Sequence, residues 1–238
     1  MRRRSGFAHT WEVLQLTNSR IFKDRVEAGR LLAEALAEKK FTDPVILALP
    51  RGGVPVAVEV GRHLHAPVDL VLVRKIGVPF HRELAAGAVV DGGDREIVYN
   101  DDVMAMTGLT RATVDELAEH ELEEIERRRK LYLKDRHRAP IAGRTAIVVD
   151  DGLATGATAR AALHALRRKK PKWLVLAVPV APSDTLKALA AEADETICLS
   201  EPFPFYAIGA HYRDFTQVSD DEVVSLLAAA DDLVDKEV

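Results

Sequence analysis

Cysteine is all but missing from this chain. Cys198 stands alone among 238 residues, which excludes an internal disulfide and suits a reducing compartment. It sits in the apolar run Thr196-Ile197-Cys198-Leu199, the setting of a buried structural thiol. No apolar run reaches the about 18 residues that a membrane-spanning helix requires. Met1-Arg2-Arg3-Arg4 is basic, but no apolar stretch follows it, so the start does not read as a signal peptide, and a cytoplasmic location is expected. Charge of one sign is not in excess either. Lys and Arg total 33 against 37 Asp and Glu, a net charge of −4. That balance argues against nucleic acid or an anionic membrane as a partner. Two nucleotide signatures are absent: no Gly-x-Gly-x-x-Gly follows a strand, and no Lys occupies the Walker position between Gly152 and Thr158. No histidine pair has metal-ligand spacing with a Cys or carboxylate nearby, and no Ser/His/Asp arrangement for nucleophilic catalysis can be argued.

Alternating strands and helices fill the rest. Residues 1 to about 20 show no clean period and read as a tail. A helix starts at Arg25 behind Asp24 as N-cap, with apolar positions at three- and four-residue steps. Pro44 to Leu49 and Val68 to Val73 are continuous apolar runs, the mark of strands buried on both faces, with a helix from Val54 to His63 between them. Segments at Ala86 to Val90 and Glu96 to Tyr99 flank Asp91-Gly92-Gly93-Asp94, a hairpin turn. Residues 110 to 134 form a long helix capped by Thr110. Its acids come first and its bases last, as the helix dipole favours. Glu123 with Arg127, Glu124 with Arg128 and Glu126 with Lys130 are spaced for ion pairs, so the Arg127-Arg128-Arg129-Lys130 cluster reads as a solvated face. Strands at Ile147 to Val149, Trp173 to Pro179 and Thr196 to Leu199 follow, with helices from near Ala157 and over Ser183 to Glu192. Ser219-x-x-Glu222 is a capping box for the last helix. The pattern predicts an α/β fold with a doubly wound, mostly parallel sheet, and right-handed crossovers bring the core strands' carboxyl ends to one edge.

The stretch Ile147-Val148-Val149-Asp150-Asp151-Gly152-Leu153-Ala154-Thr155-Gly156-Ala157-Thr158 carries the chemistry. A short buried strand ends in two carboxylates, and a turn of small and hydroxylated residues then opens a helix. Such a turn closes backbone N–H groups around a phosphate at the helix N-terminus. The carboxylates would repel that phosphate and instead suit a hydrogen-bond donor beside it, such as a vicinal diol. Phosphate next to diol describes a ribose 5-phosphate site. The first strand ends in Leu49-Pro50-Arg51-Gly52-Gly53, where Arg51 brings a cation and Gly52 and Gly53 expose backbone donors to an anion. The second ends in Val73-Arg74-Lys75, two cations directly after a buried strand.

In these residues the chain resembles the type I phosphoribosyltransferases, whose signature is a hydrophobic strand, two acids and a small-residue loop that grips 5-phosphoribosyl-1-pyrophosphate (PRPP). Along nearly its full length it is also similar to bacterial phosphoribosyltransferases of unassigned acceptor, including a Pro-Arg-Gly-Gly-Val-Pro loop and a Phe/Tyr-rich end. The resemblance implies Mg²⁺-dependent transfer of phosphoribose from PRPP to a nitrogen of a nucleobase or related heterocycle. It puts Asp150 and Asp151 on the ribose hydroxyls near a Mg²⁺ held with PRPP, and the 5-phosphate on Ala154, Thr155, Gly156, Ala157 and Thr158. Pyrophosphate falls to Arg51, Gly52 and Gly53, with a non-proline cis peptide at the Pro50-Arg51-Gly52 turn, and to Arg74 and Lys75; Asp150, Asp151 and Lys75 are the expected catalytic residues. Residues 77 to 87 take the place of a mobile loop, with His81 or Arg82 near the leaving group. A hood over about 200–218 chooses the base, with Phe205, Tyr206 and Tyr212 as candidate contacts; an equal alternative is that these rings seal the last helix to the core. The expected organisation is a single domain over 21–238 with a helical insertion at about 110–138. A homodimer is the expected assembly. The rival function is a PRPP-sensing regulator of the same fold that binds RNA or a protein without turnover; a third is a hydrolase of phosphoribosyl compounds.

Overall fold

The computed structural model describes residues 20–91, 95–134, 136 and 138–234; the expected tail therefore falls, but for Arg20, outside the described residues. Five apolar segments make the parallel sheet: β1 (Pro44–Ala48), β2 (Val68–Leu70), β6 (Thr145–Val149), β7 (Trp173–Val180) and β8 (Glu195–Ser200). They lie in the order β2-β1-β6-β7-β8, all parallel. Their near-continuous burial follows from helices on both faces. On one face lie α1 (Arg25–Ala37), α2 (Gly53–Leu64) and α7 (Asp220–Val234). On the other, α5 (Ala157–Arg168) and α6 (Ser183–Leu189) bury Leu163, Leu166, Leu186 and Leu189 against Val148, Leu176 and Val178.

The capping assignments at Asp24 and Ser219 hold. Asp24 accepts the Glu27 amide at 2.8 Å, and Ser219 and Glu222 exchange bonds reciprocally, each side chain reaching the other's amide. Cys198 is half-buried, and burial pushes its thiol up to about 11.

The second apolar run divides, contrary to the sequence expectation of one strand over Val68 to Val73. Its first half is β2, and after Val71 the chain leaves the main sheet as β3 (Leu72–Val78), which pairs antiparallel with β4 (His81–Asp91); β4 pairs in turn with β5 (Arg95–Tyr99). The expected hairpin is thus β4–β5, and the segment expected as a loop over 77–87 is the β3–β4 hairpin, turning at Pro79-Phe80. This three-stranded ribbon is covered on one face by α4 (Arg111–Tyr132) and on the other by α5. A short helix, α3 (Asp101–Thr107), capped by Asn100, precedes α4 and had no counterpart in the sequence reading.

Thr110 caps α4 as expected, and α4 buries Val114, Ala118, Ile125 and Tyr132, a stripe at four- and seven-residue steps. Its opposite face carries ion pairs. Glu124 takes both Arg127 and Arg128 at 2.8 and 2.7 Å, and Lys130 lies 3.6 Å from Glu126. Arg127 thus pairs with Glu124 instead of Glu123.

Candidate functional site

The main sheet reverses its strand order between β1 and β6: the chain steps outward from β1 to β2, then returns to β6 and proceeds the other way. Ligands of open α/β sheets bind at this switch point, outside the carboxyl ends of the two strands. Both anion loops expected from the sequence start there.

After β1, the peptide between Pro50 and Arg51 is cis. The loop closes with the Gly53 amide on the Leu49 carbonyl at 3.0 Å and the Val54 amide on the Arg51 carbonyl at 3.1 Å. It packs directly on the acids that follow β6. A Cβ on Gly52 would stand 2.1 Å from Asp151 Oδ2, so no other residue fits there without moving the carboxylate. Asp151 is 7% exposed, and its amide donates to Asp150 Oδ1 at 2.9 Å. Burial, reinforced by the neighbouring Asp151 charge, holds the Asp150 carboxyl well above the usual range. Burial also raises Asp151, opposed by Arg25. Two carboxylates in one desolvated site resist joint ionisation, and a cation or a hydrogen-bond donor arriving beside them relieves that cost.

The turn after the acids has the features expected of an anion cradle. Gly156 takes φ +72°, a left-handed conformation that suits glycine. No side chain caps α5, so its first-turn N–H groups have no intrahelical partner. Ala154, Thr155, Ala157 and Thr158 are exposed around them, and Thr185 fixes the turn by donating to the Ala154 carbonyl at 2.7 Å. A cavity of about 530 Å³ continues from Thr155 and Ala157 along α5, lined further by Arg160, His164, Tyr99 and Asn100; it does not reach the acids.

The basic residues are dispersed. Arg51 lies 3.4 Å from Asp220 at the start of α7. Asp220 also accepts the Tyr132 hydroxyl and lies 3.5 Å from Arg127; these donors, Tyr132 foremost, hold its carboxyl below the usual range. Arg74 and Lys75 do not follow a strand end but lie within β3, where successive side chains point to opposite faces. Arg74 turns to α4 and pairs with Glu121 at 2.7 Å. Lys75 is exposed on the other face, so the two cannot act as one basic pair. His81 is exposed at the start of β4; the Arg82 side chain lies outside the described residues.

The segment from 201 to 218 covers the site edge. Tyr212 is 6% exposed, packs on Phe22 and Phe215 with ring centroids 5.4 and 5.1 Å away, and donates its hydroxyl to the Asp151 carbonyl at 2.6 Å. Its ring therefore seals the hood to the protein and is not a free stacking surface. Phe205 stacks on His211 at 5.5 Å. Phe203 and Tyr206 are each 83% exposed. Arg25 was missed in the sequence. Its Nε donates to Asp151 Oδ2 at 2.7 Å from 126 residues away, and a helix-starting Arg carries no local signal of such a partner.

Two adjacent acids and two small-residue loops thus meet at the switch point of a parallel α/β sheet, the place where folds of this class bind their ligands. The chain belongs to the phosphoribosyl transferase domain family, matching it over residues 13–213. Two proteins of Mycobacterium tuberculosis, "Putative phosphoribosyl transferase Rv0571c" of strain H37Rv and "Putative phosphoribosyl transferase MT0597" of strain CDC 1551, are each 49% identical over 211 residues. The match covers 89% of this chain and 47% of each relative, so the chain spans about half the length of the curated relatives it matches. The solved structure of TT1426 from Thermus thermophilus is 41% identical, covers 88% of this chain and 98% of its own, and superposes with a TM-score of 0.76. Among the described residues, no helix is long and apolar enough to cross a membrane.

Proposed function

We propose that this chain transfers the phosphoribosyl group of PRPP to a ring nitrogen of a nucleobase or related heterocycle, releasing pyrophosphate. The observation that carries this reading is the packing of the cis-peptide loop onto the two acids, with Gly52 against the Asp151 carboxylate. That contact supports the reading because it joins the loop after β1 to the acids after β6, and the small-residue turn follows those acids directly in the chain.

In this reading the α5 N-terminus and the hydroxyls of Thr155 and Thr158 hold the 5-phosphate. Asp150 and Asp151 accept the ribose hydroxyls and face the positive charge that develops at the anomeric carbon. The Gly52 backbone donor, with Arg51, takes the pyrophosphate as the C1–O bond breaks and the acceptor nitrogen bonds to C1; the Gly53 amide, expected from the sequence as a second donor, is already bonded to the Leu49 carbonyl. Positioning is the protein's main contribution. No group of three or more potential metal ligands occurs among the described residues. Paired carboxylates beside substrate phosphates nonetheless suit Mg²⁺, which binds few protein ligands and keeps phosphate oxygens. When bound, Mg²⁺ would neutralise the leaving pyrophosphate. Lys75 keeps a role here only if the ribbon brings its exposed face to the leaving group.

The regulatory reading needs a basic surface for RNA. Arg127 and Arg128 are instead paired within their own helix, which favours the enzyme. Calorimetric titration with PRPP, with and without Mg²⁺, tests the site: saturable, Mg²⁺-dependent binding is expected, followed by pyrophosphate release with one of a panel of bases. Absence of binding at millimolar PRPP would overturn the assignment. Binding without turnover by any base would leave the sensor, and pyrophosphate release without any base would indicate hydrolysis.

A further inference from the structure

Arg25 opens α1 at a position where a cation opposes the helix dipole, so helix stability does not account for it. Its partners do. Beyond the 2.7 Å bond to Asp151 Oδ2, its Nη1 donates to the Thr216 carbonyl at 2.8 Å, and the guanidinium lies 3.9 Å from the Phe215 ring centroid. The Arg25 and Asp151 side chains are only 11% and 10% exposed. One side chain thus joins the second acid of the site to two residues of the hood. The backbone repeats the connection: Phe22 and His211, Arg213 and Phe22, and Asp214 and Lys23 are hydrogen-bonded across the same seam. On the far side of Asp151, its carbonyl takes the Tyr212 hydroxyl, and its carboxylate rests on Gly52.

We infer that Arg25 is a positioning residue that couples the hood to Asp151, so that ribose binding at the acids orders the segment that receives the acceptor. It acts through Asp151 and not on the substrate. A guanidinium suits this task because its planar fork can bond in two directions and stack at once, which an ammonium cannot. The substrate half of the inference rests on the PRPP reading above; the coupling itself does not.

Hydrogen exchange of the amides over 205–216 tests it, alongside PRPP affinity in the presence of Mg²⁺. Arg25→Met should speed hood exchange at least about tenfold, with β6 and β7 amides unchanged as a check on folding. Asp151→Asn should act in the same direction, and the double variant should exchange no faster than the faster single. Arg25→Lys keeps the charge beside Asp151 but loses the Thr216 bond and the stacking, so it should retain most PRPP affinity while loosening the hood. PRPP should slow hood exchange in the wild type and not in Arg25→Met. Hood exchange within twofold of wild type in folded Arg25→Met, or full additivity of the two substitutions, would overturn the coupling. Should Arg25→Met not fold, Arg25→Lys decides it by the hood-exchange criterion alone. Wild type that fails to bind PRPP while the exchange effects appear would sink the substrate reading and leave the coupling standing.

Discussion

Gly52 shows how much a single residue can decide at this site. Its missing side chain is the space that Asp151 occupies, and the nearest carboxylate oxygen would be 2.1 Å from an added Cβ. Gly52→Ala must therefore rotate Asp151 off Arg25 or shift the loop. Overpacking of this kind costs about 1–3 kcal/mol. The effect on binding should exceed the effect on folding, because the displaced group is the proposed ribose acceptor. At least a tenfold loss in PRPP affinity is expected by calorimetry, with a melting temperature lowered by only a few degrees. Unchanged affinity would mean that Asp151 does not contact the sugar. In the sequence, Gly52, Asp150, Asp151 and the small-residue turn were readable because each sits at a fixed offset from an apolar strand. Arg25 and Asp220 were not, since each reaches its partner across more than a hundred residues, a distance that no local pattern encodes.

At the scale of elements, periodicity found the parallel strands and the long helix, because each buries a face with its own period, and the caps at Asp24, Thr110 and Ser219 were legible from residue type at the helix starts. It failed at Val68 to Val78, where one apolar run serves two sheets. Continuous hydrophobicity cannot reveal where a chain stops pairing with one neighbour and starts with another. That error mattered for the site, since it put Arg74 and Lys75 at a strand end that does not exist. The long helix also offers a pH test. Glu124 accepts two bonds from Arg127 and one from Arg128, which hold its carboxyl down from an ordinary 4.5 to about 2, against the opposing effect of burial. The native state thus binds the proton more weakly than the unfolded chain does. The stability contributed is complete above pH about 4.5 and is lost as pH falls towards about 2. Arg127 is half exposed, so solvent screening reduces the contribution to the order of 1 kcal/mol. Glu124→Gln should destabilise the protein by that amount at pH 7 and flatten the dependence of stability on pH in the acid window, measured by urea unfolding. An unaltered acid limb would show that the pair is too screened to matter.

Across the whole molecule, the cis-peptide loop after β1 is connected to elements that a minimal open sheet would lack. Arg51 meets Asp220 of α7, and Asp220 is held by Tyr132 and Arg127 of α4. The helix that packs on the ribbon therefore also grips the loop at the switch point, through a carboxylate in the position of a competing anion. In the proposed function, an arriving pyrophosphate would have to draw Arg51 away from Asp220. Removing that competitor should tighten anion binding. The geometry limits the gain, because Arg51 and Asp220 are both about one-third exposed and 3.4 Å apart. Partly solvated pairs of this kind contribute about 0.2–1 kcal/mol, which corresponds to a gain of up to roughly fivefold in affinity. Asp220→Asn keeps the side chain's size and its ability to accept the Tyr132 hydroxyl, so α4 and α7 should remain docked. Titration of this variant with pyrophosphate and Mg²⁺ should show the gain at low salt and a smaller one at high salt, as screening predicts. Weaker binding would reverse the assignment, making Asp220 the residue that aims Arg51 at its ligand and α4 a brace for the loop.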